Sequence, residues 1–198
     1  MNTKLLSGEK VYLTALEPEK VAELFNRWAG DTEYWRLANS DPVVQFSVAG
    51  IKAWLEEHLY DKDNFFFIIQ TQQDNRSIGD VGLYSIDWIH RNAYLGISIG
   101  EREEWGKGYG TDAVKVILEL AFSELNLHRV SLTVFGYNQR AIRSYEKAGF
   151  RMEGCQRGFL KREGQRWDLI YMGILRSEWK ATQTNSQPAT FIEMGETA

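Results

Sequence analysis

The run Glu104-Trp105-Gly106-Lys107-Gly108-Tyr109-Gly110-Thr111 leads directly into an apolar-periodic segment from Asp112 to Leu125. Three glycines at alternate positions before a helix bring bare backbone N–H groups to a helix N-terminus, where an anion is held. The preceding Tyr94-Leu95-Gly96-Ile97-Ser98-Ile99-Gly100 reads as a strand. The following helix repeats Val114, Ile117, Ala121 and Leu125 while Asp112, Lys115 and Glu119 face elsewhere. A strand, a glycine loop and a helix in that order make a phosphate site. It is not the P-loop, which needs Ser or Thr after Gly-Lys, because Gly108 follows Lys107. Gly108 to Ala113 fits a loose dinucleotide fingerprint, but no acidic residue ends the next strand, Val130 to Phe135, to meet a ribose hydroxyl.

A second motif lies one helix and one strand downstream. Asn138-Gln139-Arg140-Ala141-Ile142-Arg143-Ser144-Tyr145-Glu146-Lys147-Ala148-Gly149-Phe150 places Asn138 and Tyr145 about two helical turns apart on nearly one face. Together the two motifs resemble those of the GCN5-related N-acetyltransferases (GNAT). That family has a Gln/Arg-x-x-Gly-x-Gly/Ala loop, then Asn with Ala or Ser three residues on, Tyr seven on, and a closing Gly-Phe. Trp105 stands where the family usually has Gln or Arg. The chain is most similar to the branch holding the RimJ/RimL-type ribosomal-protein N-terminal acetyltransferases and the spermidine acetyltransferases.

The resemblance implies an acyltransferase using acetyl-coenzyme A as cosubstrate and no metal. Trp105, Gly106, Lys107, Gly108, Tyr109, Gly110 and Thr111, with Asn138 and Ala141, would bind the coenzyme. The strand Ala93 to Glu101 would splay from its neighbour, leaving backbone groups around Ile97, Ser98 and Ile99 for the pantetheine arm and thioester carbonyl. Tyr145 would protonate the departing thiolate. Acetyl transfer to an amine also needs a neutral nucleophile. Asp87, Glu101 and Glu103, acidic residues near strand ends, are the base candidates beside a water relay. The aromatic set Trp28, Tyr34, Trp35, Phe46 and Trp54 lies where the family builds its acceptor pocket. It could hold a cationic amine by cation–π contact, helped by Glu33, Asp41 or Glu57. The acceptor expected is a primary amine: a protein N-terminus, or a polyamine or aminoglycoside-type molecule, with the polyamine ranked below the N-terminus. The rival class is a non-catalytic acyl-coenzyme A sensor, which would have no need of an acid at Tyr145.

The elements that must position these residues are read in order. Lys10 to Leu16 is a strand, and Pro18 opens a helix with Val21, Leu24, Phe25 and Trp28 on its apolar face. Asn39-Ser40-Asp41-Pro42 is turn chemistry, and a helix is expected from Ile51 to about Tyr60. Asn64 to Thr71 and Ile78 to Ile86 form a hairpin. Asn138 caps a helix that Gly149 ends. Two strands, Phe150 to about Phe159 and Gln165 to Leu175, close the sheet. The fold expected is α/β: a mixed, mostly antiparallel sheet of six or seven strands with a splayed central pair, flanked by about four helices.

At 198 residues and 43% hydrophobic composition the chain can bury the core of one domain, expected over 1–180. The polar stretch 181–198 is expected to be a flexible tail. A net charge of −4 argues against nucleic-acid binding and suits a cationic acceptor. The one cysteine, Cys155, precludes an intrachain disulfide, and His58, His90 and His128 lack ligand spacing. With no signal peptide or membrane-length apolar run, the reading is a cytoplasmic protein without membrane partner, for which a homodimer is allowed.

Overall fold

The computed structural model describes residues 5–58 and 61–185. Along them run β1 (Val11–Ala15), α1 (Pro18–Ala29), α2 (Thr32–Ala38), α3 (Val48–His58), β2 (Phe65–Thr71), β3 (Ser77–Asp87) and β4 (Asn92–Ile99). Then come α4 (Tyr109–Glu119), β5 (Arg129–Phe135), α5 (Gln139–Lys147), β6 (Arg151–Arg162), β7 (Gln165–Leu175) and α6 (Arg176–Asn185). The seven strands form one sheet in the order β1-β2-β3-β4-β5-β7-β6. Every neighbouring pair is antiparallel except β4 and β5, which the crossover through α4 makes parallel. That ladder runs only through Asn92↔Arg129, Ala93↔Val130 and Tyr94↔Ser131. Beyond Tyr94 the two strands part, and Leu95 to Ile99 has no strand partner on its β5 side.

Alternation sends successive residues of β3 and β4 to opposite faces. Val81, Leu83 and Leu95 join the core of Val114, Ile117, Phe122, Tyr145 and Trp179 beneath α4, α5 and α6. On the other face Ile68 packs with Val21, Ala22, Ile51 and Leu55 of α1 and α3. Gly96 of β4 and Gly100, which follows the strand, are required by that second face. A Cβ at Gly96 would fall 2.6 Å from the Tyr84 ring, and one at Gly100 would fall 2.1 Å from the Trp28 indole.

The helices exceed the expected four. Asp31 accepts from the N–H groups of Glu33 and Tyr34 at 2.9 and 3.2 Å, starting α2 in a stretch whose aromatic, turn-rich composition gave no clear period. α6 reaches Asn185, so 181–185 is helix rather than tail. Its Trp179 is buried and packs on Phe122 with ring centroids 5.3 Å apart. α3 begins at Val48, three residues before the expected start; Leu59, Tyr60 and 186–198 lie outside the described residues. After Glu119 the α4 coil widens to a five-residue step, with Leu125 N–H donating to the Leu120 carbonyl at 3.0 Å.

α5 starts at Asn138, whose side-chain oxygen accepts from Ala141 N–H at 3.2 Å. Removing this cap in Asn138→Ala is expected to lower unfolding free energy by about 1 kcal/mol, read as a lower urea midpoint at unchanged slope.

Candidate active site

The parting of β4 from β5 opens a cleft of about 1010 Å³. On one side it is bounded by Ile97, Ser98 and Ile99 of β4. On the other stand Thr133, Val134 and Phe135 of β5, with Asn138, Ala141 and Tyr145 beyond them. The glycine loop closes one end through Trp105, Gly106, Gly108, Tyr109, Gly110 and Thr111. Gly108, at φ +92, turns the chain into α4 and directs the first-turn amides at the cleft. The loop is braced at several points. Asp112 accepts from Lys10 and Val11 N–H at 2.7 and 3.0 Å, Lys10 Nζ donates to the Lys107 carbonyl at 3.0 Å, and Thr111 Oγ1 meets Ser144 Oγ at 2.8 Å.

Trp105 does what its departure from the family pattern did not foretell. Its indole N–H donates to the Ile99 carbonyl at 2.7 Å, which pins the free end of β4 and removes that carbonyl from the groups expected to be open. Its ring lies 4.0 Å from the Arg140 guanidinium and 5.4 Å from that of Arg102. Arg140 therefore stands at the cleft beside the loop, a cation the motif alone did not single out.

Tyr145 is buried in the helix face. No hydrogen bond from its hydroxyl is found among the described residues, and the cleft is where it opens. Burial pushes the phenol up to about 12. Tyr84 lines the same cleft, lies within electrostatic reach of Tyr145, and is also raised by burial.

Several expected roles are corrected by position. Asp87 pairs with Asn92 at the β3–β4 turn, the end of the hairpin away from the glycine loop, and its carboxylate accepts from Ile89 and His90 N–H at 3.0 and 2.8 Å. It does not border the cleft. Glu101 is held by Arg27 and by the Trp28 indole N–H at 3.0 Å, outside the lining. Glu103 pairs with Arg76 at 3.0 Å. Lys107 turns its ammonium to Glu104 at 3.0 Å instead of into the cleft. Glu33 pairs with Arg102 at 2.7 Å, while Asp41 and Glu57 are exposed and do not line the cleft. Trp28 is core; Tyr34, Trp35, Phe46 and Trp54 do line the cleft.

The group that sequence reasoning missed is Asp80. On β3 it lies opposite Ser98 and on the same face as Ile68 and Tyr84, and its carboxylate accepts from Ser98 Oγ. Tyr34 of α2 reaches the same Ser98 oxygen at 2.9 Å. Its signal was a lone carboxylate inside the apolar strand Ile78-Gly79-Asp80-Val81-Gly82-Leu83. Burial raises Asp80 from 3.8 to about 6, against the opposing hydrogen bond from Ser98. The titratable groups facing it are Tyr34 from α2 and Tyr84 from its own strand.

A carboxyl raised on folding keeps its proton to higher pH in the native state than in the unfolded chain. Its contribution to stability is therefore complete below about 4 and is lost as pH rises through about 6. Relative to Asp80→Asn, the parent is expected to lose on the order of 2 kcal/mol between pH 4.5 and 7.5, as measured by urea unfolding of both proteins at the two pH values.

Among the described residues no three His, Cys, Asp or Glu side chains gather as a metal site requires, and no helix is long and apolar enough to cross a membrane.

Comparison with known proteins adds four findings. The family model described as "Acetyltransferase (GNAT) domain" matches residues 10–151. The chain is 31% identical to the SPbeta prophage-derived uncharacterized N-acetyltransferase YokL of Bacillus subtilis, over 88% of this chain and 94% of that one. It is 32% identical to the spermidine N(1)-acetyltransferase of Escherichia coli K12, over 88% and 91% of the two chains. The crystal structure of spermidine N-acetyltransferase from Vibrio cholerae in complex with CoA and spermine superposes with a TM-score of 0.77. It is 27% identical and covers 86% of this chain and 98% of that one.

Proposed function

This chain belongs to the GNAT acetyltransferase family, is an acyltransferase that uses acetyl-coenzyme A, and, we propose, acetylates a primary amine by direct attack on the thioester, with Tyr145 as the acid. The observation that carries the reading is the meeting, in one cleft, of a free helix N-terminus, a stretch of β4 with no strand partner on its β5 side and the unengaged Tyr145 hydroxyl. The α4 amides and Arg140 suit the pyrophosphate, by hydrogen bonds and by charge. The open β5-side edge of β4 suits the amide-bearing pantetheine arm, which would pair there as an added strand does. A donor N–H aimed at the thioester oxygen stabilises charge that grows there during attack. Tyr145, kept protonated by burial, supplies the leaving sulfur with a proton, and the same dry surroundings make that thiolate a stronger acceptor.

The relatives' names make spermidine one acceptor to try, and a peptide N-terminus is the other. The single exposed Cys155 suits a reducing compartment, and we place the reaction in the cytoplasm. Acetyl-coenzyme A carrying an isotopically labelled acetyl group tests direct transfer. The label is expected on the amine nitrogen, with initial-rate patterns of a ternary complex. A labelled protein formed before amine is added, and discharged by it, would contradict direct attack.

A further inference from the structure

The acceptor half of the cleft has aromatic walls and one carboxylate at its floor. Trp35, Phe46, Ile51 and Trp54 stand around it, with Trp35 and Phe46 rings 5.6 Å apart. Phe46 and Trp54 remain 44% and 50% exposed, so apolar surface at the cleft mouth is left for an occupant to cover. Asp80 faces in from β3, steadied by Ser98 and, through it, Tyr34. Glu104 also lines the cleft, but Arg76 and Lys107 engage its carboxylate. The remaining charged side chains of the described lining, Arg140, Arg143 and Lys147, are cations.

From this arrangement we infer that the acceptor is a monocationic primary amine on an apolar or aromatic body, with its ammonium at Asp80 and its body against Trp35, Phe46 and Trp54. The inference rests on the N-acetyltransferase reading and narrows it. One ammonium finds one counter-charge at the floor and a ring face beside it. A second ammonium, as a polyamine carries, would lose water among aromatic walls with no unengaged carboxylate in the described lining. Asp80 then has a chemical part. It takes one proton from the ammonium, and the freed lone pair bonds to the thioester carbonyl carbon as the carbon–sulfur bond breaks. The thiolate takes the Tyr145 proton, the second amine proton restores the tyrosine, and Asp80 returns its proton to solvent. The products are the N-acetyl amide, the free thiol and one proton.

The chemistry fits a free arylalkylamine and the N-terminus of a peptide that begins with an apolar residue, and the test separates them. The whole protein is assayed for thiol release from acetyl-coenzyme A with 2-phenylethylamine, a short peptide starting with Phe, and spermidine. The expected result is a kcat/KM at least about tenfold higher for one of the first two than for spermidine, an arm that needs no variant. For the preferred amine, Asp80→Asn is expected to lower turnover about 100-fold or more while calorimetric coenzyme A affinity stays within about twofold. The acid limb of kcat/KM near pH 6 should vanish with it. Spermidine equal or better while Tyr145→Phe still abolishes its turnover would overturn this inference and leave the N-acetyltransferase reading standing. An Asp80→Asn variant at the parental rate would overturn the role of Asp80. Release with none of the amines would remove the underlying reading, and this inference with it.

Discussion

Tyr145→Phe is expected to fold, bind coenzyme A and lose turnover by roughly two orders of magnitude or more, the usual worth of a general acid. The substitution removes one hydroxyl from a ring that is otherwise part of the core and packs on Phe150 at 6.0 Å between centroids. That hydroxyl donates to no partner found among the described residues, so its loss leaves none of them unsatisfied. A stability change of about 1 kcal/mol or less is expected. The acid acts on charge that develops on sulfur as the bond breaks, so kcat should fall while coenzyme A affinity barely moves. Single-turnover measurement with the folded variant checks it. A parental rate under conditions where chemistry limits turnover would return Tyr145 to a packing role.

The second large effect belongs to the glycine loop. A Cβ at Gly110 would lie 3.7 Å from the Ile99 side chain and 3.9 Å from Ser144 Oγ, ordinary contacts that the protein accommodates. The helix itself prefers almost any residue to glycine. Gly110→Val should therefore remain folded, while its branched side chain stands over the first-turn amides that a pyrophosphate must approach. Coenzyme A affinity is expected to fall at least about tenfold, or about 1.4 kcal/mol, by calorimetry with a variant whose urea midpoint is not below the parent's. Gly108 cannot serve for this test, because its left-handed φ of +92 would strain any side chain and confound fold with binding. Unchanged affinity in Gly110→Val would place the phosphates away from α4.

The donor half was legible because its chemistry is local. Glycine loop, helix cap and Asn138-to-Tyr145 spacing all lie within short runs whose geometry the backbone dictates. β5 was legible for a similar reason, since Val130, Leu132 and Val134 alternate onto a buried face. What failed depended on contacts across the fold. Asp87 looked like a cleft residue because it ends a strand, yet sequence does not say which end of a hairpin meets the loop, and its carboxylate closes a turn instead. Glu101 is adjacent to the site in sequence but is taken by Arg27 and Trp28, residues more than seventy positions away. Asp80 gains meaning only when β3 is registered against β4, bringing Ser98 opposite it and Tyr34 above. The polar run 181–185 suggests a tail because the tertiary anchor of its helix, Trp179 against Phe122, lies before it in sequence.

Amine-dependent release of free coenzyme A thiol by the purified chain, with acetyl-coenzyme A in excess and the acetylated amine quantified in the same reaction, most directly tests whether the cleft is an N-acetyltransferase site. The expectation is saturable release that requires amine, matches acetylated product mole for mole, and collapses in Tyr145→Phe. Tight coenzyme A binding without amine-dependent release across N-terminal peptides, arylalkylamines, polyamines and aminoglycosides would contradict it and favour a sensor built on the same fold.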